Sequence, residues 1–151
     1  MEKIYEIQRI KQVVQEVELK NYIVRSPEDG ADIAYDFIGE DDREVFFVMC
    51  LNTKNHVIAI HRAHVGSLNA SIVHPRDVFK ASILNNAASI ICAHQHPSGD
   101  PIPSQEDIHV TRRLVDAGKM IGIEVLDHII VGQKRNGEVS FTSLKDKGYI
   151  S

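Results

Sequence analysis

The spacing of apolar residues along the chain switches between two periods, one typical of strands and the other typical of helices. Beyond residue 21, apolar or alternating runs predict five strands, at residues 44–51, 56–65, 88–93, 125–131 and 139–142. Apolar positions three and four residues apart predict three helices, at residues 27–38, 75–86 and 104–120. Because helices lie between strands and hairpins lie at both ends, we predict an α/β (α+β) fold with a mixed central β-sheet flanked by helices.

Each predicted helix has its own start signal. Ser26 precedes Pro27, and Pro75 opens the second helix with Asp77 in its first turn. A capping serine, an early proline and an early acidic residue are the usual features of a helix N-terminus. Ser104 and Asp107 lie three residues apart. This spacing is that of a capping box, so we predict that Asp107 lies in the first turn of the third helix.

The first 21 residues fit two periods. Ile4, Ile7 and Ile10 have helical spacing, whereas the apolar residues of segment 13–17 suit a strand. We predict a strand across residues 4–18. A chain of 151 residues is about the length of one domain. We therefore predict one domain at residues 22–151, with residues 1–21 as an N-terminal extension that packs on it.

The composition is that of an ordinary globular protein, with 43% hydrophobic and 25% charged residues. No apolar run reaches the 18 or so residues that a membrane-spanning helix requires. The N-terminus lacks the apolar core of a signal peptide. Cys50 and Cys92 each lie inside an apolar run, which favours buried reduced thiols over a disulfide. These features predict a cytoplasmic protein without a membrane partner.

The charge of the chain argues against nucleic acid as a partner. The net charge is −4 and the pI is about 6.0, and no cluster of Lys and Arg stands out. Binding to a phosphate backbone depends on such clusters. We expect binding to duplex DNA to be weak and salt-sensitive, or absent, in a titration at several salt concentrations. Tight sequence-specific binding at physiological salt would contradict this prediction.

A candidate metal site follows the fourth apolar run. His94 and His96 lie two residues apart at the end of the strand predicted at 88–93, so they leave it on one face. A loop rich in Pro, Gly and Asp then leads to Asp107 in the first turn of a helix. Two imidazoles and one carboxylate suit Zn²⁺, with one tetrahedral position left for water, as in a catalytic site.

Other interpretations of these residues remain open. The two histidines could be solvated, and Asp107 could serve only to complement the helix dipole. Cys92 lies two residues before His94 and is a conceivable fourth ligand, which would close the site and make it structural. His128 could be a core histidine or a hydrogen-bond partner of a ligand. Of the other histidines, most are expected at the surface or beside the ligands; they are His61, His64, His74 and His109.

The same residues resemble a known family motif. His94-x-His96, ten residues and then Asp107, with Ser104 three residues before it, is similar to the JAMM motif of MPN/JAB-domain zinc metallopeptidases. The form His-Pro-Ser-Gly-Asp-Pro-x-Pro-Ser, at 96–104, resembles the bacterial RadC-like branch in particular. The resemblance extends from about Tyr22 through Gly132. It implies the MPN/JAB, cytidine-deaminase-like architecture and one Zn²⁺ per chain.

The resemblance also implies catalytic roles. In the JAMM pattern a Glu at the start of an early central strand is the general base, and Glu44 is the residue that matches it here. Glu44 could instead be the last charge of an acidic turn, and Asp100 is a rival base closer in sequence to the histidines. Ser104, which serves as an N-cap, would also stabilise the developing oxyanion.

Two functions are therefore carried forward. The first is a zinc-dependent metallopeptidase or isopeptidase that hydrolyses amide bonds, with a peptide or protein substrate bound along a sheet edge. The second is a DNA-repair-associated or prophage accessory module that binds nucleic acid or a partner protein without hydrolysis. RadC-like proteins often carry an N-terminal helix-hairpin-helix region, which the residues before Tyr22 do not provide. The oligomeric state is left open, with a homodimer as one alternative.

Overall fold

A computed structural model describes residues 1–151, which form three helices and five strands. The helices are α1 (Pro27–Ile38), α2 (Pro75–Leu84) and α3 (Gln105–Ile121). The strands are β1 (Val45–Leu51), β2 (Val57–Val65), β3 (Ser89–Gln95), β4 (Glu124–Arg135) and β5 (Glu138–Ser143). All eight elements predicted between residues 22 and 151 are present, and the predicted fold class is confirmed.

The strands form one mixed sheet in the order β2-β1-β3-β4-β5. The β1–β2 and β4–β5 pairs are antiparallel hairpins, as predicted, and β1 is also antiparallel to β3. Strands β3 and β4 run parallel, with α3 as the crossover between them. Strand β3 is therefore the centre of the sheet and is buried along its whole length. The C-terminal end of this central strand carries His94.

Apolar side chains pack on both faces of the sheet. On one face α1 contributes Ala31, Ala34 and Ile38 to a core with the alternate residues of β1, β3 and β4. On the other face α2 and α3 cover a second core, where Phe79 and Leu114 are fully buried or nearly so. A sheet buried on both faces requires near-continuous apolar strands, which accounts for the runs in β1 and β3.

Local interactions explain where helix α1 begins and where helix α2 ends. Helix α1 spans 27–38 as predicted, with the Ser26 hydroxyl accepting a hydrogen bond from the amide of Asp29. Helix α2 ends two residues earlier than predicted. The side-chain amide of Asn85 donates to the carbonyl of Ala81, and Asn86 has a φ of 52°. A left-handed residue cannot continue a right-handed helix.

The strand predicted at residues 4–18 is wrong. These residues form neither strand nor helix, and large apolar side chains such as Ile4 and Val13 are exposed. A strand needs a neighbour for its backbone N–H and C=O groups. The first backbone pairing of this part of the chain is an isolated bridge between Ile23 and His56, the residue before β2. Upstream, Gln12 exchanges side-chain hydrogen bonds with Asn85. The division into an extension at 1–21 and a domain at 22–151 stays a prediction.

The turn predicted at residues 132–137 is also wrong, because β4 continues through most of it. Strand β4 runs to Arg135, which pairs with Glu138 of β5. Only Asn136 and Gly137 form the turn, with φ angles of 52° and 79°. This Asn-Gly pair suits a tight two-residue hairpin. The polar residues at the end of β4 are exposed on a protruding hairpin, so they lack the apolar alternation by which a strand is predicted. None of the three helices combines the length and the apolar composition that spanning a membrane would require.

Candidate metal centre

The end of β3 brings two histidines together. His94 lies within the strand and is fully buried, and His96 follows the strand with its side chain 15% exposed. The backbone amide of His96 donates to the carbonyl of Val131, which holds the strand end against β4. The two side chains turn to the same side, and their Nε2 atoms are 3.2 Å apart. The convergence predicted from the two-residue spacing is confirmed.

Asp107 reaches the same point from the start of α3. The capping box is present: the Ser104 hydroxyl accepts from the amide of Asp107 at 3.1 Å, and the amide of Ser104 donates to Asp107 Oδ2 at 2.9 Å. Oδ1 of the same carboxylate lies 3.2 Å from His94 Nε2, and Oδ2 lies 3.0 Å from His96 Nε2. The cap therefore orients the carboxylate toward both histidines.

The loop between His96 and α3 is packed tightly on β4. Gly99 has a φ of 84°, and its amide donates to the carbonyl of His96. Its own carbonyl oxygen would lie 2.4 Å from a Cβ atom added at Gly132. A side chain at residue 132 would thus displace the loop. This close approach places the carbonyl of Asp100 2.8 Å from His96 Nδ1. The neutral His96 ring consequently donates from Nδ1 and has its lone pair on Nε2.

The ring of His94 is fixed by a chain of buried hydrogen bonds. The hydroxyl of Thr111 donates to the carbonyl of Asp107 at 2.7 Å, so its oxygen accepts the proton on His128 Nδ1. His128 Nε2 then carries a lone pair and accepts from His94 Nδ1 at 2.7 Å. This direction of donation places the lone pair of His94 on Nε2. His128 is therefore the hydrogen-bond partner of a candidate ligand, one of the two roles predicted for it.

These hydrogen bonds leave three electron-rich groups facing one another. The Nε2 lone pairs of His94 and His96 and the Asp107 carboxylate meet at separations of 3.0–3.2 Å. Such an arrangement is unfavourable unless a cation lies among the three groups. Tetrahedral Zn²⁺ with bonds of about 2.0–2.1 Å would hold its ligand atoms about 3.3 Å apart. The donor set and its spacing therefore fit zinc.

The pKa directions agree with a site for positive charge. A proton taken up by His96 Nε2 would be donated to Asp107, which raises the pKa of His96, and the nearby Glu44 carboxylate acts in the same direction. Burial alone would raise the pKa of Asp107. Positive charge on the facing rings of His94 and His96, together with the hydrogen bond from the amide of Ser104, outweighs burial and holds the pKa of Asp107 well below its usual range. Burial lowers the pKa of His128, which keeps that ring neutral as the hydrogen-bond chain requires.

Glu44 lies beside the two histidines although it is distant from them in sequence. It immediately precedes β1, and one of its carboxylate oxygens lies within 4.8 Å of a ring nitrogen of both His94 and His96. Its Oε2 atom accepts a hydrogen bond from the amide of Leu68 at 3.2 Å. Glu44, His94 and His96 thus form a cluster that could hold a metal. Because Asp107 is closer to both rings, Glu44 is the outer carboxylate of the four side chains.

Asp100 and Cys92, the other candidates from the sequence, occupy different surroundings. The Asp100 side chain is exposed and accepts from the amide of Ile102, as a turn residue does, while its carbonyl faces His96. Cys92 is fully buried in the core under α2 and α3. Burial raises the pKa of the Cys92 thiol far above its usual range, which disfavours the thiolate that binds metals. Both predicted thiols are buried and unpaired.

Two polar residues of the site were not identified from the sequence. Thr111 lies four residues after Asp107 on α3, one helical turn away, and completes the hydrogen-bond chain to His128. Gln95 lies between the two histidines, and its side chain contacts the backbone on either side of Glu44. For Gln95, the available signal in the sequence was a polar residue at the end of an apolar run. In the structure this side chain is 1% exposed, and a polar side chain so deeply buried must have hydrogen-bond partners.

Comparison with known proteins agrees with the motif. Residues 24–149 match the family model described as RadC-like JAB domain. UPF0758 protein YsxA of Bacillus subtilis is 52% identical over 131 residues, covering 87% of this chain and 54% of that protein. A UPF0758 protein of Moorella thermoacetica is 54% identical over 132 residues, with coverages of 87% and 56%. The chain spans about half the length of these curated relatives. The chain therefore belongs to the RadC-like JAB domain family.

Proposed function

We propose that the protein is a zinc-dependent metallopeptidase or isopeptidase that hydrolyses amide bonds. The observation that carries the proposal is the meeting of His94, His96 and Asp107 at 3.0–3.2 Å with the Glu44 carboxylate beside them. Three protein ligands leave a fourth tetrahedral position for water, which distinguishes a catalytic zinc from a structural one. One Zn²⁺ per chain would be held by the two imidazoles and the Asp107 carboxylate.

A zinc ion in this position would polarise the substrate carbonyl. It would also lower the pKa of a water molecule, so that the water can lose a proton at neutral pH. Glu44 then accepts the proton that the attacking water loses and returns a proton to the leaving amine. Its separation of up to 4.8 Å from the histidine nitrogens leaves room for a water between them. General bases act through such contacts, either directly or through one water. The amide of Leu68 keeps the carboxylate in place by donating to Oε2.

Ser104 supplies a hydrogen-bond donor for the developing oxyanion. Its oxygen accepts the capping hydrogen bond from the amide of Asp107, which leaves the hydroxyl proton free to donate. Ser104 is exposed, so a substrate carbonyl has access to it. The same residue thus orients a metal ligand and contacts the reacting carbonyl in this proposal.

Ser104→Ala is expected to lower the rate of hydrolysis by about 10²–10³, the effect of one lost oxyanion donor. It should also destabilise the protein by about 1 kcal/mol through loss of the cap. Ser26→Ala is a matched control, because Ser26 caps α1 through the same type of hydrogen bond and lies outside the site. Turnover and urea denaturation of both variants separate the two effects. Equal turnover in both variants would remove Ser104 from the mechanism.

The edge of the sheet offers a place for an extended substrate. Strand β2 is an edge strand, and its last residue, Val65, pairs with Val45, next to Glu44. A peptide that adds to this end of β2 would continue toward the site. A cleft of about 570 Å³ also borders the site, and it is lined by His96, Glu40, Asp41 and Lys134. Its polar lining suits a polypeptide rather than an apolar ligand.

A cleavage screen tests the proposal. Zinc-loaded protein would be incubated with a peptide library that includes branched peptides joined through Lys side chains, and new termini would be detected by mass spectrometry. We expect cleavage that a chelator abolishes and added Zn²⁺ restores. If zinc-loaded protein cleaves no bond, while the metal remains bound, the site is a binding surface stabilised by metal rather than an enzyme.

A further inference from the structure

Gln95 occupies a position from which it contacts both sides of the candidate base. It is the last residue of β3, lies between His94 and His96, and is 1% exposed. Residues on a strand alternate between faces. The two histidines turn to the face of the metal centre, and Gln95 consequently projects to the opposite face. There its side chain meets the segment that leads into β1.

The amide group of Gln95 uses its donors and its acceptor on this segment. Oε1 accepts from the backbone amide of Val45 at 2.9 Å, and Nε2 donates to the carbonyls of Arg43 and Asp41. Arg43 and Val45 are the two neighbours of Glu44. Three hydrogen bonds from one side chain therefore hold the backbone on both sides of the Glu44 carboxylate.

These contacts replace backbone pairing that β1 and β3 do not make at this point. The β1–β3 register ends at Phe47 opposite Ala93, and continuing it would place Val45 opposite Gln95. The other neighbour of β1 is irregular here as well, since its register with β2 shifts between Phe46 and Phe47. Val45 is 2% exposed and pairs with Val65 of β2, but it has no partner in the β1–β3 ladder. The Gln95 side chain supplies the acceptor that its buried N–H needs.

We infer that Gln95 is a positioning residue that sets the distance between Glu44 and the histidine pair; this inference rests on the proposed function. One strand end then supplies the two histidines on one face and the support of the base on the other. A shift of either group would be transmitted to the other, because the residues are consecutive. Displacement of a catalytic group by about 1 Å can cost about 10² in rate.

Gln95→Asn tests this role, because it keeps the amide but shortens the side chain by one methylene. We expect kcat to fall about 10–100-fold with KM and zinc content unchanged. Gln95→Glu is the second variant: it keeps the length and the acceptor for Val45 but lacks the Nε2 donors, and it should lower kcat in the same way. Ser82→Ala is the control, since it removes a buried side-chain hydrogen bond on α2 outside the site. It should leave kcat unchanged.

A double mutant separates positioning from general damage. If Gln95 acts through Glu44, adding Gln95→Asn to Glu44→Gln should cause no further loss of rate. The inference would be overturned if Gln95→Asn lowered the rate as much in the Glu44→Gln background as in wild type. Wild-type kcat in both Gln95 variants would also overturn it. A crystal structure of Gln95→Asn gives a readout without activity: Glu44 should move away from the histidines, and an unmoved carboxylate would refute the role. A wild-type protein that cleaves nothing refutes the proposed function, and the crystal structure still decides the inference.

Discussion

Glu44→Gln is expected to retain zinc and to lose hydrolysis, with a fall in kcat of about 10²–10⁴. Glutamine matches the carboxylate in shape, and its amide oxygen still accepts from the amide of Leu68. The three groups that meet at 3.0–3.2 Å do not include Glu44, so metal content should not change. The amide, however, has no basic site for the proton that water must lose. Turnover of a substrate found by the cleavage screen and elemental analysis would measure the two properties.

Two control variants make this result specific. Glu124→Gln removes the same charge from the exposed start of β4, which pairs with Ser89 at the opposite end of β3 from His94, and it should leave turnover close to that of wild type. Asp100→Asn tests the rival base, and the asparagine oxygen can still accept from the amide of Ile102. If Asp100→Asn lost activity while Glu44→Gln kept it, Asp100 would be the base. If neither substitution lowered turnover, neither carboxylate would be the general base.

His96→Ala is expected to lower the zinc content from about one ion per chain to nearly none. His96 is preferable to His94 for this experiment because its side chain is partly exposed, whereas His94 is fully buried beside Phe46 and His128. Removing His94 would also open a cavity in the core. His109→Ala is the control, since His109 is exposed on α3 two residues beyond Asp107. Equal zinc in wild type and His96→Ala would exclude the proposed ligand set.

The same variant has a thermodynamic readout. Metal that binds only the folded state stabilises it, by about 2.7 kcal/mol when free zinc is 100 times Kd. A chelator should therefore lower the melting temperature of wild type and of His109→Ala, with little effect on His96→Ala. A chelator that shifts the melting temperature of His96→Ala as much as that of wild type would contradict the prediction.

The helix starts and the convergence of His94 and His96 were predictable because their signals are local. Ser26 and Pro27 act within a single turn, and so does the capping box of Ser104 and Asp107. The two-residue spacing of His94 and His96 settles that both side chains leave one side of the strand end, whatever the strand packs against. Glu44 was named only through the family resemblance. No spacing links it to residues 50 positions away.

Both wrong predictions concern segments whose structure depends on pairing with another segment of the chain. The apolar residues of segment 4–18 suit a strand, but no strand pairs with them, and they are exposed. The polar residues at the end of β4 resemble a turn, but β5 pairs with them up to Arg135. In both segments the backbone hydrogen bonds depend on a second segment, which the local pattern of apolar residues does not identify.

The sequence by itself determined the alternation of strands and helices, the helix caps and the residue types of the His94-x-His96 and Asp107 motif, because each depends on neighbours within a few positions. Tertiary structure decided which groups surround that motif. It placed Glu44 beside the histidines, joined His94 to Thr111 through His128, and used Gln95 to hold the start of β1. These contacts depend on the order and register of the strands, since hydrogen bonds form only where packing brings donor and acceptor within about 3 Å.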